Sequence, residues 1–352
     1  MRPTARRLWP GWTVLLLLLL AAPAVRAADA TSAAKELERR GARLERDDRL
    51  PGKPVVRAAF AADRAGRVGD DEAALLAELT ELRSLDLGDT GLTDAGLARL
   101  AGLTNLVYLI LGGTRVTDAG LAHLKGMERL ETLHLYDTAV SDAGLEQLAA
   151  LKKLRTLSLS GTAVKGPGLE KLRPLPDLRT LFLDFTKLGD DGLKHVARVE
   201  RLRELHLIGT GVTDKGLAQL KALKGLEEVD LGLNKITDAG VKELAAMPSL
   251  RAVGLSATAV DDAGVKDLAA LNGLRELNLS ATKVTDAGLE HLKGLKELEN
   301  LNLARTAVGD AGLEHLKGSK KLMFLRLTGT RVTPGAAAAL KKALPELEVA
   351  GP

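Results

Sequence analysis

Residues Leu274–Glu297 read LRELNLSATKVTDAGLEHLKGLKE. Laid over the chain, this stretch recurs every 24 residues from Leu82 to Lys321, ten times, without insertion or deletion. A divergent eleventh copy follows. Self-similarity at a period of 20–29 residues is the mark of a solenoid, so the repeat is read before any local motif.

The unit is LxxLxLxxTxVTDAGLxxLxxLxx, numbered here from position 1 to position 24. Positions 1, 4, 6, 11, 16, 19 and 22 are apolar in nearly every copy. Positions 4 and 6 alternate with polar neighbours, the period of a strand. Positions 16, 19 and 22 lie three apart, which suits an α- or 3₁₀-helical return. One unit cannot bury its apolar face alone. Stacked units share a leucine core and a parallel sheet with strands about 4.8 Å apart. Helices are about 10 Å wide, so they crowd one side and bend the stack, strands on the concave face and helices on the convex face.

The unit resembles a leucine-rich repeat over about residues 55–349. Its TDAGL segment is similar to the bacterial 24-residue type seen in planctomycete proteins and to the cysteine-containing type of ubiquitin-ligase substrate receptors. The resemblance implies an α/β horseshoe of about eleven repeats plus caps, and a binding role without naming the ligand. Position 9 departs from the family, which places Asn or Cys there. Here it is Thr in ten copies, from Thr90 to Thr330, and Asn234 in the seventh. A Thr hydroxyl can bond turn backbone as Asn does, with fewer donors.

The first 27 residues look like a secretory leader. Arg2, Arg6 and Arg7 precede the apolar run Thr13–Ala22, and Val25-Arg26-Ala27 fits a cleavage site. The run is short for a membrane span, so contact with a membrane is expected only during export. The formal charge of +4 belongs to this segment, which holds four Arg and no acid. The remainder balances 46 Lys plus Arg against 46 Asp plus Glu, so a nucleic-acid partner is not indicated. With no Cys, stability must come from stacked interfaces and not from disulfides.

The spacing predicts a helix over 32–40, a short strand over 43–46, a turn at 50–53 and a first solenoid strand over 55–60. The loop after that strand is three residues longer than in the regular repeats. Residues 28–81 form the expected N-terminal cap, 82–321 the regular repeats, and 322–352 the eleventh repeat and C-terminal cap. Asp at position 13, as in Asp94, Asp214 and Asp286, is expected to cap its own helix by accepting the following amides. In the fourth repeat Lys165-Gly166-Pro167-Gly168 replaces TDAG, and Pro is tolerated at a first helical position.

Function is expected on the concave strand positions 3, 5, 7 and 8, which face away from the core. Outside the leader there are six aromatic residues, and Tyr108, Tyr136, Phe182 and Phe185 fall on these positions. Ile110, His134, Asp184, His206 and Ile208 share the zone, and Asp230 adjoins it. Rings gathered on a surface suggest an interaction hot spot for a protein or peptide, with the polar members setting register. A third possibility uses His134 and His206 as a pH-responsive pair.

Catalysis is not expected. His206 and Asp230 should stand about 5 Å apart at their Cα atoms, within reach of one another, but no nucleophile adjoins them. His123, His195, His291 and His315 share position 18 on the helical side, too dispersed for a metal. No HExxH, GxxxxGK[ST] or GxGxxG is present, so no cofactor is expected. The expectation is a monomeric, exported binding module. The alternative is an envelope-organising spacer with no dedicated ligand.

Overall fold

The computed structural model describes residues 29–60 and 68–351. The expected leader and the lengthened part of the loop after residue 60 lie outside them. A single sheet of fourteen strands runs in chain order. It comprises β1 (Ala42–Arg46), β2 (Val55–Phe60), β3 (Ser84–Asp86), β4 (Tyr108–Ile110), β5 (Thr132–His134), β6 (Thr156–Ser158) and β7 (Thr180–Phe182). It continues through β8 (Glu204–His206), β9 (Glu228–Asp230), β10 (Ala252–Gly254), β11 (Glu276–Asn278), β12 (Asn300–Asn302), β13 (Phe324–Arg326) and β14 (Glu348–Ala350).

From β3 onward every strand pairs in parallel with the residue 24 positions ahead, as Leu85 with Leu109 and Leu277 with Leu301. The constant offset follows from the constant repeat length: a one-residue slip would turn every leucine out of the core. Only β1 and β2 are antiparallel, a hairpin that covers the first edge of the stack. A helix over residues 29–39 precedes it, with Ala34 and Leu37 fully buried.

The seven apolar positions form one continuous core. In the repeat beginning at Leu274, the residues Leu274, Leu279, Val284, Leu289 and Leu292 are fully buried, and Leu277 and Leu295 nearly so. Each such side chain contributes roughly 1.5–3 kcal/mol before chain entropy is counted. The return segments are α-helical in some repeats, such as Asp238–Ala245, and 3₁₀ in others, such as Gly120–Leu124. A three-residue apolar spacing satisfies both. Pro167 opens a 3₁₀ segment at its first position, after Gly166 at φ 131°.

The expected role of the position-13 aspartates is corrected by the structure. In several repeats the capping side chain is instead the neighbour at position 12: the Thr93 hydroxyl accepts from the Ala95 amide at 3.2 Å, and Thr237 and Thr285 do likewise, while the helix after Gly309 has no side-chain cap. Asp94 is already the first helical residue, and its carboxylate reaches the next repeat. It accepts the Thr117 amide at 2.8 Å and the Thr117 hydroxyl at 2.6 Å. The same bonds join Asp70 to Thr93, Asp214 to Thr237, Asp262 to Thr285 and Asp310 to Thr333. A carboxylate one residue inside the helix points back across the repeat boundary, because helical Cα–Cβ bonds lean toward the N-terminus.

Position 15 is glycine for this reason. A Cβ on Gly120 would overlap the Asp94 carboxylate, and one on Gly288 would meet the Asp262 carboxylate at 2.5 Å. Burial by itself would raise the Asp70 carboxyl, but the Thr93 hydroxyl and amide, with Arg99 nearby, hold it below the usual range.

Position 9 behaves as its chemistry requires. Each Thr is buried, save the half-buried Thr330, and donates its hydroxyl to the carbonyl three residues back, as Thr114 to Leu111 at 2.6 Å. Asn234 does more. Its Nδ2 donates to the Leu207, Leu231 and Gly232 carbonyls, and its Oδ1 accepts from the Val212 amide at 3.1 Å. It therefore binds two repeats where Thr binds one.

Candidate functional site

Among the described residues, no other element packs on the open side of the concave sheet. Its groove-facing side chains form two separate ring clusters in place of the single zone expected. The first spans β4 and β5. Tyr108 and His134 have ring centroids 5.7 Å apart, and His134 meets Tyr136 edge-on at 6.4 Å. Tyr136 lies over glycines: a Cβ on Gly112 would overlap its ring, and one on Gly88 would sit 3.3 Å from its hydroxyl. Ile110 borders the same place, since its Cγ2 would also be 3.3 Å from a Gly88 Cβ. Burial lowers the His134 pKa, with Asp86 opposing. Burial also raises the Tyr136 phenol, helped by Asp89, Asp86 and Asp137.

The second cluster spans β7 and β8. Phe182 and His206 stack with centroids 4.3 Å apart and planes 18° from parallel. Between the clusters β6 presents only Thr156 and Ser158. His206 and Asp230 are register partners, as expected, but they do not pair with each other. His206 Nε2 instead stands 3.8 Å from Glu228 Oε1, and Asp230 Oδ1 accepts the Gly232 amide at 3.0 Å.

Asp184 sits beside this cluster, accepting the Ile208 amide at 2.7 Å and the Ser160 hydroxyl at 3.4 Å. Burial raises its carboxyl above the usual range against those bonds. Tyr108, Ile110, His134, Tyr136, Phe182, Asp184, His206, Ile208 and Asp230 are all half-buried.

Phe185 alone of the expected residues is fully exposed, at 63%. It occupies position 8, which has positive φ in every repeat from Asp89 to Gly329. Glycine, Asp and Ala fill most of these places. Phe185 at φ 58° and Leu233 at φ 57° are bulky side chains held in a conformation that costs them roughly 1–2 kcal/mol. Leu233 is also exposed, at 56%. The Phe185 ring leans over Gly209 in the intervening repeat, where a Cβ would come within 3.0 Å of it. The exposure of Leu233 was not legible in the sequence, because an aliphatic residue in a leucine-rich chain gives no compositional signal.

A trough of about 520 Å³ lies over β9 to β14, and of the expected site residues it includes Asp230 alone. Phe324, 49% exposed, stands at its far end. The position-18 histidines are half-buried, not fully exposed, and His195 Nδ1 lies 2.9 Å from Glu170 Oε1 of the preceding repeat. Among the described residues no three His, Cys, Asp or Glu side chains converge as metal ligands. No helix among them is long and apolar enough to cross a membrane.

An open coil of parallel strands with helical returns and a buried leucine ladder defines a leucine-rich-repeat protein. The chain belongs to this family: the leucine-rich repeat region model matches residues 74–267, and a second leucine-rich repeat model matches residues 272–293. No curated protein sequence matches it. Among solved structures it is similar to an internalin from Listeria monocytogenes, with 22% identity and a TM-score of 0.57 over 78% of this chain and 82% of that one. A leucine-rich-repeat protein from Leptospira interrogans matches at 21% identity and a TM-score of 0.57, over 78% and 74%. The functional domain of InlJ from Listeria monocytogenes matches at 19% identity and a TM-score of 0.50, over 78% and 54%. These likenesses concern the fold.

Proposed function

We propose that the chain is an exported, non-enzymatic binding module that holds a protein or peptide along its concave sheet. In this reading residues 1–27 are a leader, 28–81 and 322–352 are caps, and the repeats between them are the binding frame. One observation carries it: an unpartnered sheet face bears two ring clusters and the strained, exposed Phe185 in a chain otherwise almost free of aromatic residues. Rings half-buried against a rigid sheet lose little entropy when a partner covers them. Tyr108, Ile110, Tyr136, Phe182, Phe185 and Ile208 supply apolar contact. His134, Asp184, His206 and Asp230 supply direction.

The test is capture from an envelope extract by the immobilised chain lacking residues 1–27. A saturable protein partner, lost when Tyr136→Ala and Phe182→Ala are combined and folding is unchanged, is the expected result. Capture that survives both substitutions removes the site. Absence of any saturable partner favours a spacer that organises the envelope without a dedicated ligand.

A further inference from the structure

The binding reading leaves the chemistry of the partner open, and the strand side chains narrow it. Positions 3, 5 and 7 of the ten regular repeats supply thirty groove-facing residues. Six are carboxylates: Asp86, Asp184, Glu204, Glu228, Asp230 and Glu276. None is Lys or Arg, although 50 such residues in 352 would place about four among thirty positions by chance, and position 8 adds Arg305 against Asp89 and Asp137. The cations sit instead on the rims and helices, and several are already engaged. Arg155 pairs with Glu131 at 3.5 Å, Arg203 pairs with Glu227 at 3.0 Å, and Arg251 donates to the Pro248 and Leu250 carbonyls. On the strands themselves, Arg43, Arg46 and Arg57 lie on the first two strands, and Arg326 on β13 lines the far part of the trough. A chain that is neutral outside its leader thus keeps an acidic strip along the middle of its inner curve.

The strip is densest at the trough over β9 to β14. Glu228 is surrounded by Glu204 on β8, Asp230 on β9 and Glu276 on β11, and its one facing partner is His206 at 3.8 Å. Burial, and these like charges against the nearby His206, push its carboxyl above the usual range. Strand β10 contributes only Ala252 and Gly254 to this face, which leaves a notch between β9 and β11. The Asp230 carboxylate leans into it, so that a Cβ on Gly254 would overlap it. Glu228 and Glu276 flank the notch two strands apart, about 9.6 Å at their Cα atoms. That gap leaves room for a guanidinium or ammonium group between the two carboxylates. Beyond the notch, Asn278 and Asn302 have their Oδ1 atoms occupied by the Ser280 and Ala304 amides. Their Nδ2 groups are left as donors for a ligand's carbonyls.

We propose that the trough over β9 to β12 receives an extended, cationic segment of the protein partner, with one Lys or Arg side chain held at the Gly254 notch between Glu228, Asp230 and Glu276. The proposal rests on the concave-face reading above and specifies its partner by charge. Complementary charge would steer encounter and reject acidic segments.

Fluorescence anisotropy of three labelled octapeptides tests it, with Ser alternating with Lys, Gln or Glu. The Lys peptide is expected to bind about tenfold or more tighter than the Gln peptide, and to weaken at high salt. Combining Glu228→Gln with Glu276→Gln should cost it about tenfold, while the charge-matched helix pair Glu290→Gln and Glu314→Gln should cost little. Equal binding of the Lys and Gln peptides, or equal loss in the two variant pairs, overturns the proposal. If the Gln or Glu peptide binds as well as the Lys peptide, and Tyr136→Ala with Phe182→Ala abolishes that binding, the concave-face reading stands and the cationic partner falls.

Discussion

The Asp94 carboxylate holds both the amide and the hydroxyl of Thr117, 23 residues ahead, at 2.8 and 2.6 Å. Thr117 in turn accepts the Ala119 amide of its own helical segment at 3.3 Å. One carboxylate thus orders the entry to the next return, and the relay runs along the convex side of the stack. It varies where position 12 changes: Lys165 offers Asp142 an amide and no hydroxyl, Gly309 offers Asp286 the same, and Asp261 meets Asp238 with an amide at 3.0 Å and a second carboxylate.

That rung leads to a stability prediction. Burial first, and the facing Asp261 carboxylate with it, raise the Asp238 pKa. A raised carboxyl opposes folding at neutral pH, and the penalty is relieved as pH falls through the folded value toward the unfolded one. Asp261→Thr restores the hydroxyl and removes the like charge. It should stabilise the chain by about 0.5–2 kcal/mol at pH 7, measured by urea unfolding. The charge-derived part of the gain should shrink as pH is lowered toward 4. A loss of stability at pH 7 would refute this account of the rung.

Position 8 sets stability against binding. Leu233→Asn places a residue that tolerates positive φ where a bulky one is strained. The expected gain is about 1 kcal/mol in urea unfolding, accompanied by weaker partner capture. If the variant is instead destabilised, Leu233 serves the fold and its exposure has no bearing on a partner.

Asn234 gives the opposite case. Asn234→Thr keeps a bond to its own turn but abandons the Leu207 carbonyl and the Val212 amide of the preceding repeat, both in buried surroundings. The cost should be about 1–3 kcal/mol, read from the urea midpoint. An unchanged midpoint would mean that the bridge adds nothing beyond what Thr supplies.

Tyr136 can be followed directly. The chain has two tyrosines, so in Tyr108→Phe the alkaline phenolate absorbance reports Tyr136 alone. Its midpoint should lie above the ordinary value of about 10, and Asp86→Asn with Asp89→Asn should bring it down. A midpoint at or below the ordinary value would show that the ring does not lie against Gly112 and the nearby carboxylates.

The repeat period determined the coil by itself. Leucines at positions 1, 4 and 6 can be buried only if each strand pairs in parallel with the one 24 residues ahead, so register, sheet order and core follow from spacing. The Thr bonds at position 9 span three residues, and residue type alone foretold them. The helix caps were misread from the same line of text. Thr-Asp offers two capping residues in succession, and only the packed neighbour reveals that the Asp side chain crosses to the next repeat. The inward strand residues were likewise legible as a face, since alternation fixes which side they take. How they sort along that face was decided by tertiary structure. The direction of a ring at Tyr136, the stacking of His206 on Phe182, and the crowding of Glu228 by acids from two other strands are contacts between residues at least 22 apart or choices of rotamer. Periodicity states which side of a sheet a side chain leaves from, and its neighbours settle where it comes to rest.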